Sequence, residues 1–334
     1  MKKLFIIAAA ACVTLASCVK NEPVATPEFG EQISFETPVL APNVKSVNEV
    51  GTSFENATNF DVWAFLSADQ LTGETAVNWQ NNYITKGKII QKTVSETTVW
   101  GGATAYYWPT SGYLNFIAVS PAEVSGVQVS DAGIAISDYV VAEGNVDLLY
   151  SERTLGKNAN NVPILFKHAL ASIDFMAAEG AQDTWIKSIT IVGVANTGDF
   201  AQGLENKANS VTPAGDLWSN EGGEETYTAY QSTGPNGYTE LTDILTDLTA
   251  VENETSLILL PQAFAESSEA KIIVEYHQGL EPSGTTVAKS FEYPLKGTQW
   301  LNGIRYTYKM TFGENEIFFT PSTSTWGTQE PVMQ

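Results

Sequence analysis

Several things are scarce in this chain of 334 residues, and each scarcity argues against a class of function. Histidine and cysteine occur only twice each, so zinc fingers, iron–sulfur clusters and histidine-rich metal sites have almost no ligands to draw on. Positive charge is short as well: 17 Lys and Arg stand against 38 Asp and Glu, a net charge of −21 that repels phosphate backbones and anionic lipid surfaces. No nucleic-acid partner is expected. Charged residues of both signs reach only 16%, below the roughly 25% usual for soluble proteins. With 43% of residues apolar and 11% aromatic, the chain has the composition of a folded protein and not of a disordered one. Helical periodicity is also rare. One window, Leu241, Ile244, Leu245 and Leu248, has the i, i+3, i+4, i+7 spacing, but Thr and Asp fill the gaps, so it reads equally as a short helix or as loop.

What is present begins with an address. Lys2 and Lys3 precede an apolar stretch from Leu4 to Leu15, too short to span about 30 Å of hydrocarbon as a helix. Residues 1–17 read as a lipoprotein signal peptide ending in Leu15-Ala16-Ser17-Cys18, a lipobox whose cysteine becomes the acylated mature N-terminus. Val19 in place of Asp favours the outer membrane, where two or more acyl chains suffice for stable anchoring. Cleavage there removes Lys2, Lys3 and Cys12, so the mature chain has a net charge of −23 and one cysteine, which is lipidated. An intramolecular disulfide is then impossible, and packing must supply the stability.

Residues 18–32 read as a tether, with order expected from Ile33. Beyond it the period is two. Ile33-Ser-Phe35, Phe60-Asp-Val62-Trp-Ala64-Phe65, Leu114-Asn-Phe116-Ile-Ala118-Val119, Lys271-Ile-Ile-Val-Glu-Tyr276 and Tyr306-Thr-Tyr308-Lys-Met310-Thr-Phe312 all read as half-buried strands. Many short strands, 26 glycines and no series of long helices predict an all-β protein built of sandwiches. A length of 334 residues allows two domains, and the polar run 156–161 divides them into 33–157 and 158–334.

Catalytic patterns are sparse. His168 and His277 both sit in strand-like runs and no Gly-x-Ser-x-Gly elbow is present, so both read as structural and no enzyme or cofactor is expected. The segment Trp100-Gly-Gly-Ala-Thr-Ala-Tyr106-Tyr107-Trp108-Pro109 reads either as core aromatics at a strand end or as a sugar-stacking platform. The second reading, with Trp108 and Trp218 as stacking residues, would make the chain a glycan-binding surface lipoprotein. A glycosidase built on an acid pair is a third, weaker possibility.

Several stretches together resemble the fimbrillins of Bacteroidales, the FimA-like and Mfa-like subunits of type V pili. They are Phe60-Asp-Val-Trp-Ala-Phe65, Tyr106-Tyr107-Trp108-Pro109 ahead of Leu114-Asn-Phe-Ile-Ala118, Asp147-Leu148-Leu149-Tyr150, Leu165-Phe-Lys-His168, Leu260-Pro-Gln262 and Trp300-Leu-Asn-Gly303-Ile-Arg-Tyr306, with a closing Trp326. The resemblance implies two transthyretin-like β-sandwich domains in tandem. It also implies export as a lipoprotein, cleavage by an Arg-specific protease after the first strand, and filling of the vacated groove by a strand from the next subunit. Partners would be other pilin subunits, the processing protease, the outer membrane through the lipid, and an unidentified receptor on a host or bacterial surface. The chain departs from the pattern at the cut, where Lys45-Ser46 stands in place of an arginine site and is the one basic position between Lys20 and Lys86. Either a protease of broader basic specificity cuts there, or the chain stays anchored. The donor is expected in the tail, with Ile317 and Phe319 on one face and Phe318 and Trp326 on the other; the plainer alternative makes this tail the last strand of its own domain.

Overall fold

The computed structural model describes residues 31–40, 52–53, 59–71, 78, 80–94, 97–130, 133–141, 146–158, 161–177, 183–203, 217–241, 246–248, 256–313 and 316–325. Cys18, Lys45, Ser46 and Trp326, and most of the expected tether, lie outside these residues. The first strands are β1 (Ser34–Phe35), β2 (Val39–Leu40), β3 (Thr52–Ser53), β4 (Asn59–Ser67), β5 (Asn82–Val94), β6 (Thr97–Gly102) and β7 (Tyr113–Ser120). Next come β8 (Val127–Ser130), β9 (Gly133–Val140), β10 (Leu149–Ser151), β11 (Thr154–Lys157), β12 (Leu165–His168), β13 (Ala171–Ala177), β14 (Thr184–Val194), β15 (Thr197–Gln202), β16 (Trp218–Gly222) and β17 (Glu225–Gln231). The last are β18 (Thr239–Glu240), β19 (Thr246–Asp247), β20 (Leu257–Leu259), β21 (Gln262–Ala263), β22 (Lys271–Gln278), β23 (Lys289–Pro294), β24 (Gln299–Trp300), β25 (Ile304–Phe312) and β26 (Ile317–Thr325). Apart from one 3-10 turn at Pro235–Gly237 the regular structure among the described residues is all strand, as the period-two pattern predicts. Leu241 and Leu248 are both buried, but the residues between them that would decide helix against loop are not all described.

The first sheet runs β1-β6-β5-β4-β7-β10-β12-β2-β3. Strands β1 and β2 belong to a single run of chain, residues 31–40, yet pair at opposite ends of that order: β1 is antiparallel to β6 and β2 parallel to β12. A parallel bridge from Phe35 to Val162 fills the interval between them. The sheet therefore curls until this run closes it around a core of Phe35, Phe60, Trp100, Trp108, Phe116 and Phe166 with smaller aliphatics.

Two five-stranded sheets make most of the second half, β19-β13-β25-β26 with β20 also on β13, and β17-β14-β22-β23 with β18 also on β14, beside the small pair β21-β24. Their facing residues alternate as read from the sequence, with Ile272, Val274 and Tyr276 from one and Tyr306, Tyr308 and Met310 from the other in a common core. A fourth sheet, β16-β15-β9-β8, joins the halves because β9 of the first pairs with β15 of the second. At its β8–β9 turn Gly133 has φ 122°, and a Cβ there would lie 1.9 Å from the Gln202 carbonyl oxygen, so only glycine allows the approach.

That joining sheet corrects one expectation. Phe60–Phe65 and Leu114–Val119 are not half-buried: Phe60, Val62, Ala64, Leu114 and Phe116 face the first core, while Trp63, Phe65, Ile117 and Val119 face a third core with Ile134, Ile136, Phe200 and Trp218. A strand covered on both faces carries apolar residues at nearly every position, which is how these two read. The polar run 156–161 starts inside β11 and precedes β12, which both pair within the first sheet, and the chain changes sheets between His168 and Ala171.

Candidate functional site

The candidate site is the seat of the run 31–40, considered together with β26. Backbone bonds hold the run along its length: the Trp108 amide donates to the Glu31 carbonyl (2.9 Å), Ile33 N–H to Tyr106 (2.8 Å), Glu36 N–H to Val162 (3.0 Å) and Val162 N–H to Ser34 (2.9 Å). The Ser34 hydroxyl also donates to the Asn161 side chain. Alternation drives Ile33 and Phe35 inward, to 1% and 3% exposure, while Ser34 stays half out and Glu36 is exposed. The Phe35 ring meets Phe60 and Phe116 edge to face, with centroids 5.7 and 5.9 Å away. Pairing already includes Glu31, two residues ahead of the expected start of order. Chemically the seat can do one thing well: it takes an extended segment, satisfies its backbone on both sides and reads alternate side chains in apolar pockets.

Strand β26 is held differently. It pairs antiparallel with β25 from Phe312↔Ile317 to Ile304↔Thr325 and forms the sheet edge. Ile317 is buried; Phe319 lies against Tyr293 (4.5 Å, stacked) and Phe291 (6.0 Å); Phe318 is half exposed. Ile317 and Phe319 thus pack with the core of their own half while Phe318 faces outward, and the structure does not bring any of the three to the run 31–40. Both segments nevertheless share a spacing that sequence reading passed over, Ile33-x-Phe35 and Ile317-x-Phe319, with a proline three residues further on in the first and two in the second. Aligning the two ends of the chain would have exposed it.

The alternative chemistries lose their residues here. Trp108 and Trp218 are 4% and 5% exposed; the first abuts Phe116, and the second donates from Nε1 to the Ala169 carbonyl at 2.6 Å. Neither can stack on a sugar, so the core reading of the aromatic segment holds. His168 is buried with Nδ1 2.6 Å from Asp147 Oδ2, and its carbonyl accepts from Asn302 Nδ2. Burial pushes the Asp147 carboxyl up, against the opposing pull of His168. His277 sits 3.1 Å through Nε2 from the Leu280 carbonyl. Among the described residues no cluster of three or more His, Cys, Asp or Glu could hold a metal ion.

The described residues define an all-β protein of packed sheets. The chain belongs to the fimbrillin-like family, whose model matches residues 47–326. Membership makes it a structural, non-enzymatic component of a cell-surface fimbrium that associates with other pilin subunits. A fimbrial protein from Bacteroides vulgatus is 14% identical, with a TM-score of 0.53 over 89% of this chain and all of that one, which shows a shared fold. A candidate cell adhesion protein from Bacteroides ovatus is 17% identical over 90% of this chain and 99% of that one, with a TM-score of 0.48. No curated protein matches the chain.

Proposed function

We propose that this fimbrial subunit is exported as a lipoprotein through Cys18, cut at Lys45-Ser46, and polymerised by strand exchange, in which the tail of one copy fills the seat emptied in another. The observation that carries the reading is the run 31–40 itself: an extended segment whose β1 pairs with β6 on one side, and whose Phe35 and β2 pair with Val162 and β12 on the other, five residues ahead of Lys45 in the sequence. Its loss would strip Ile33 and Phe35 from the first core and leave unpaired backbone on both sides of the gap, a state that a donor strand relieves. A tail carrying Ile317 and Phe319 at the same spacing supplies matching side chains, with Phe318 and Trp326 on its other face.

A lysine cut is consistent with how the arginines are held. The sequence has two, Arg153 and Arg305; both are half-buried, one between β10 and β11 and one within β25. Two sandwich domains are part of the proposal, and the change of sheet between His168 and Ala171 supports a changeover there. The polymer should be much more stable than the processed monomer, since only it has every strand in place.

The test is the mature N-terminus and intact mass of the protein taken from the surface of its own cells, beside its mobility in unheated detergent. A start at Ser46 with a detergent-resistant ladder is expected. Acylated Cys18 on the whole surface population would overturn processing and leave a permanently anchored subunit.

A further inference from the structure

Exposed large apolar side chains are few on the described surface, and the two most exposed belong to one loop. Leu280 is 90% exposed and Val287 85%, both on the loop between β22 and β23. Phe318, 52% exposed, follows the turn that leads into β26. This loop is not loosely attached. Gly279 N–H donates to the Asp183 carbonyl (2.8 Å), His277 contacts the Leu280 carbonyl, and Asn236 Nδ2 donates to the Pro282 carbonyl (2.9 Å). Ser283 N–H donates to Thr286 Oγ1 (2.8 Å), and Gln278 Nε2 donates to the Gly313 carbonyl (2.7 Å), linking the loop to the base of the last strand. Two aliphatic side chains held in water by a rigid frame suit a contact surface better than a floppy loop end.

The strand directions say what this surface faces. Strand β25 starts at Ile304, beside the sheet change where Gly303 N–H donates to Leu170, and ends at Phe312, about 25 Å away at 3.3 Å per residue. Strand β26 is therefore attached at the end of the second half remote from the sheet change, the end that carries Leu280 and Val287. In the first half the run 31–40 is parallel to β12 and so travels towards the sheet change, entering at the remote end of that half. At that entrance Gln32 bridges to Tyr107, and the carbonyl of Tyr107 accepts from the hydroxyl of Tyr83, itself 39% exposed. A tail released from β25 and hinged at its base would meet another copy at this entrance. It would then run in the direction of the strand it replaces.

We infer that Leu280 and Val287 form a second contact between consecutive copies, seated on the first-half entrance around Tyr83 of the next copy. This rests on the strand-exchange reading and adds to it a surface that stiffens the joint and places the incoming strand in register. The occupant is a second copy of this chain because the exposed apolar groups sit at the base of one strand and at the mouth of the seat it would enter.

The test pairs Leu280→Cys with Tyr83→Cys in full-length protein, assembled on its own cells and exposed to mild oxidant; Cys18 is lipidated before the cut at Lys45-Ser46 and absent after it, so the introduced thiols are the free ones. A disulfide-linked ladder in the double variant and in neither single variant is expected. A ladder from Leu280→Cys alone would mean like ends meeting and would overturn the inference. So would a wild-type ladder resistant to detergent with no cross-link in the double variant, which leaves strand exchange standing and removes only this contact. If the wild type forms no detergent-resistant ladder, both fall. The exposed pair Leu280→Glu and Val287→Glu supplies a check independent of cysteine chemistry: fibres at least several-fold shorter, with an unchanged unfolding midpoint of the unassembled protein.

Discussion

The run 31–40 and the terminal strand β26 are nearly the same peptide in two settings. Each has isoleucine and phenylalanine two residues apart and a proline shortly after, and each buries its isoleucine almost fully. The first lies between two bonded neighbours with Phe35 at 3% exposure; the second has one neighbour and a half-buried Phe319. Backbone pairing on two edges against one, and not side-chain identity, separates a strand whose loss opens a core from a strand at a free edge. Pro321 suits the edge, since proline cannot donate to a ladder and deters further pairing there.

This contrast can be broken by measurement. Phe35→Ala should be the most damaging change, costing about 3–5 kcal/mol because a buried ring between Phe60 and Phe116 leaves a cavity. Urea unfolding of the unprocessed protein reads it. Trp108→Ala belongs to the same core and should cost a similar ~3–5 kcal/mol. Its effect on any retention by polysaccharide should follow the loss of fold and not a loss of stacking. Phe319→Ala should cost less, about 1–2 kcal/mol, for a half-buried ring that keeps partial access to water. An equal loss for Phe319 and Phe35 would end the distinction between the two strands. Phe318→Ser should stay within about 0.5 kcal/mol in the monomer, since that ring is half exposed already.

The smallest effect concerns the joining sheet. Asp199 accepts from Asn220 Nδ2 (2.7 Å) and from Asp138 N–H (2.8 Å), which hold its carboxyl below the ordinary value. A depressed carboxylate contributes stability above the unfolded value and loses it as pH falls through the folded one. Asp199→Asn should therefore flatten the fall of the unfolding midpoint on acidification below about pH 4. A slope equal to that of wild type would show that the carboxylate does not hold these strands together.

How much was legible depends on how local the cause is. The alternation in Lys271–Tyr276 and Tyr306–Phe312 comes from the pleat of one strand and reads straight from residue order. The burial of Phe60–Phe65 on both faces needed β9, β15 and β16, which lie about 70 to 160 residues further along and announce nothing locally. The polar run 156–161 starts in β11 and precedes β12, which both pair within the first sheet, and polarity by itself carries no information on where the chain changes sheets. Trp108 and Trp218 carry no local sign of their depth, since a tryptophan at a strand end is equally suited to core and surface.

By itself the sequence determined the strand-rich class, the fimbrillin resemblance, and the scarcity of metal ligands and positive charge, because composition and short-range periodicity depend only on neighbours along the chain. Tertiary structure alone decided that residues 31–40 close the first sheet, that both halves share a sheet and a core, and that the Ile-x-Phe pair recurs in a singly bonded edge strand. Those depend on which distant backbones become neighbours, and pairing partners are selected by the packing of all the strands at once.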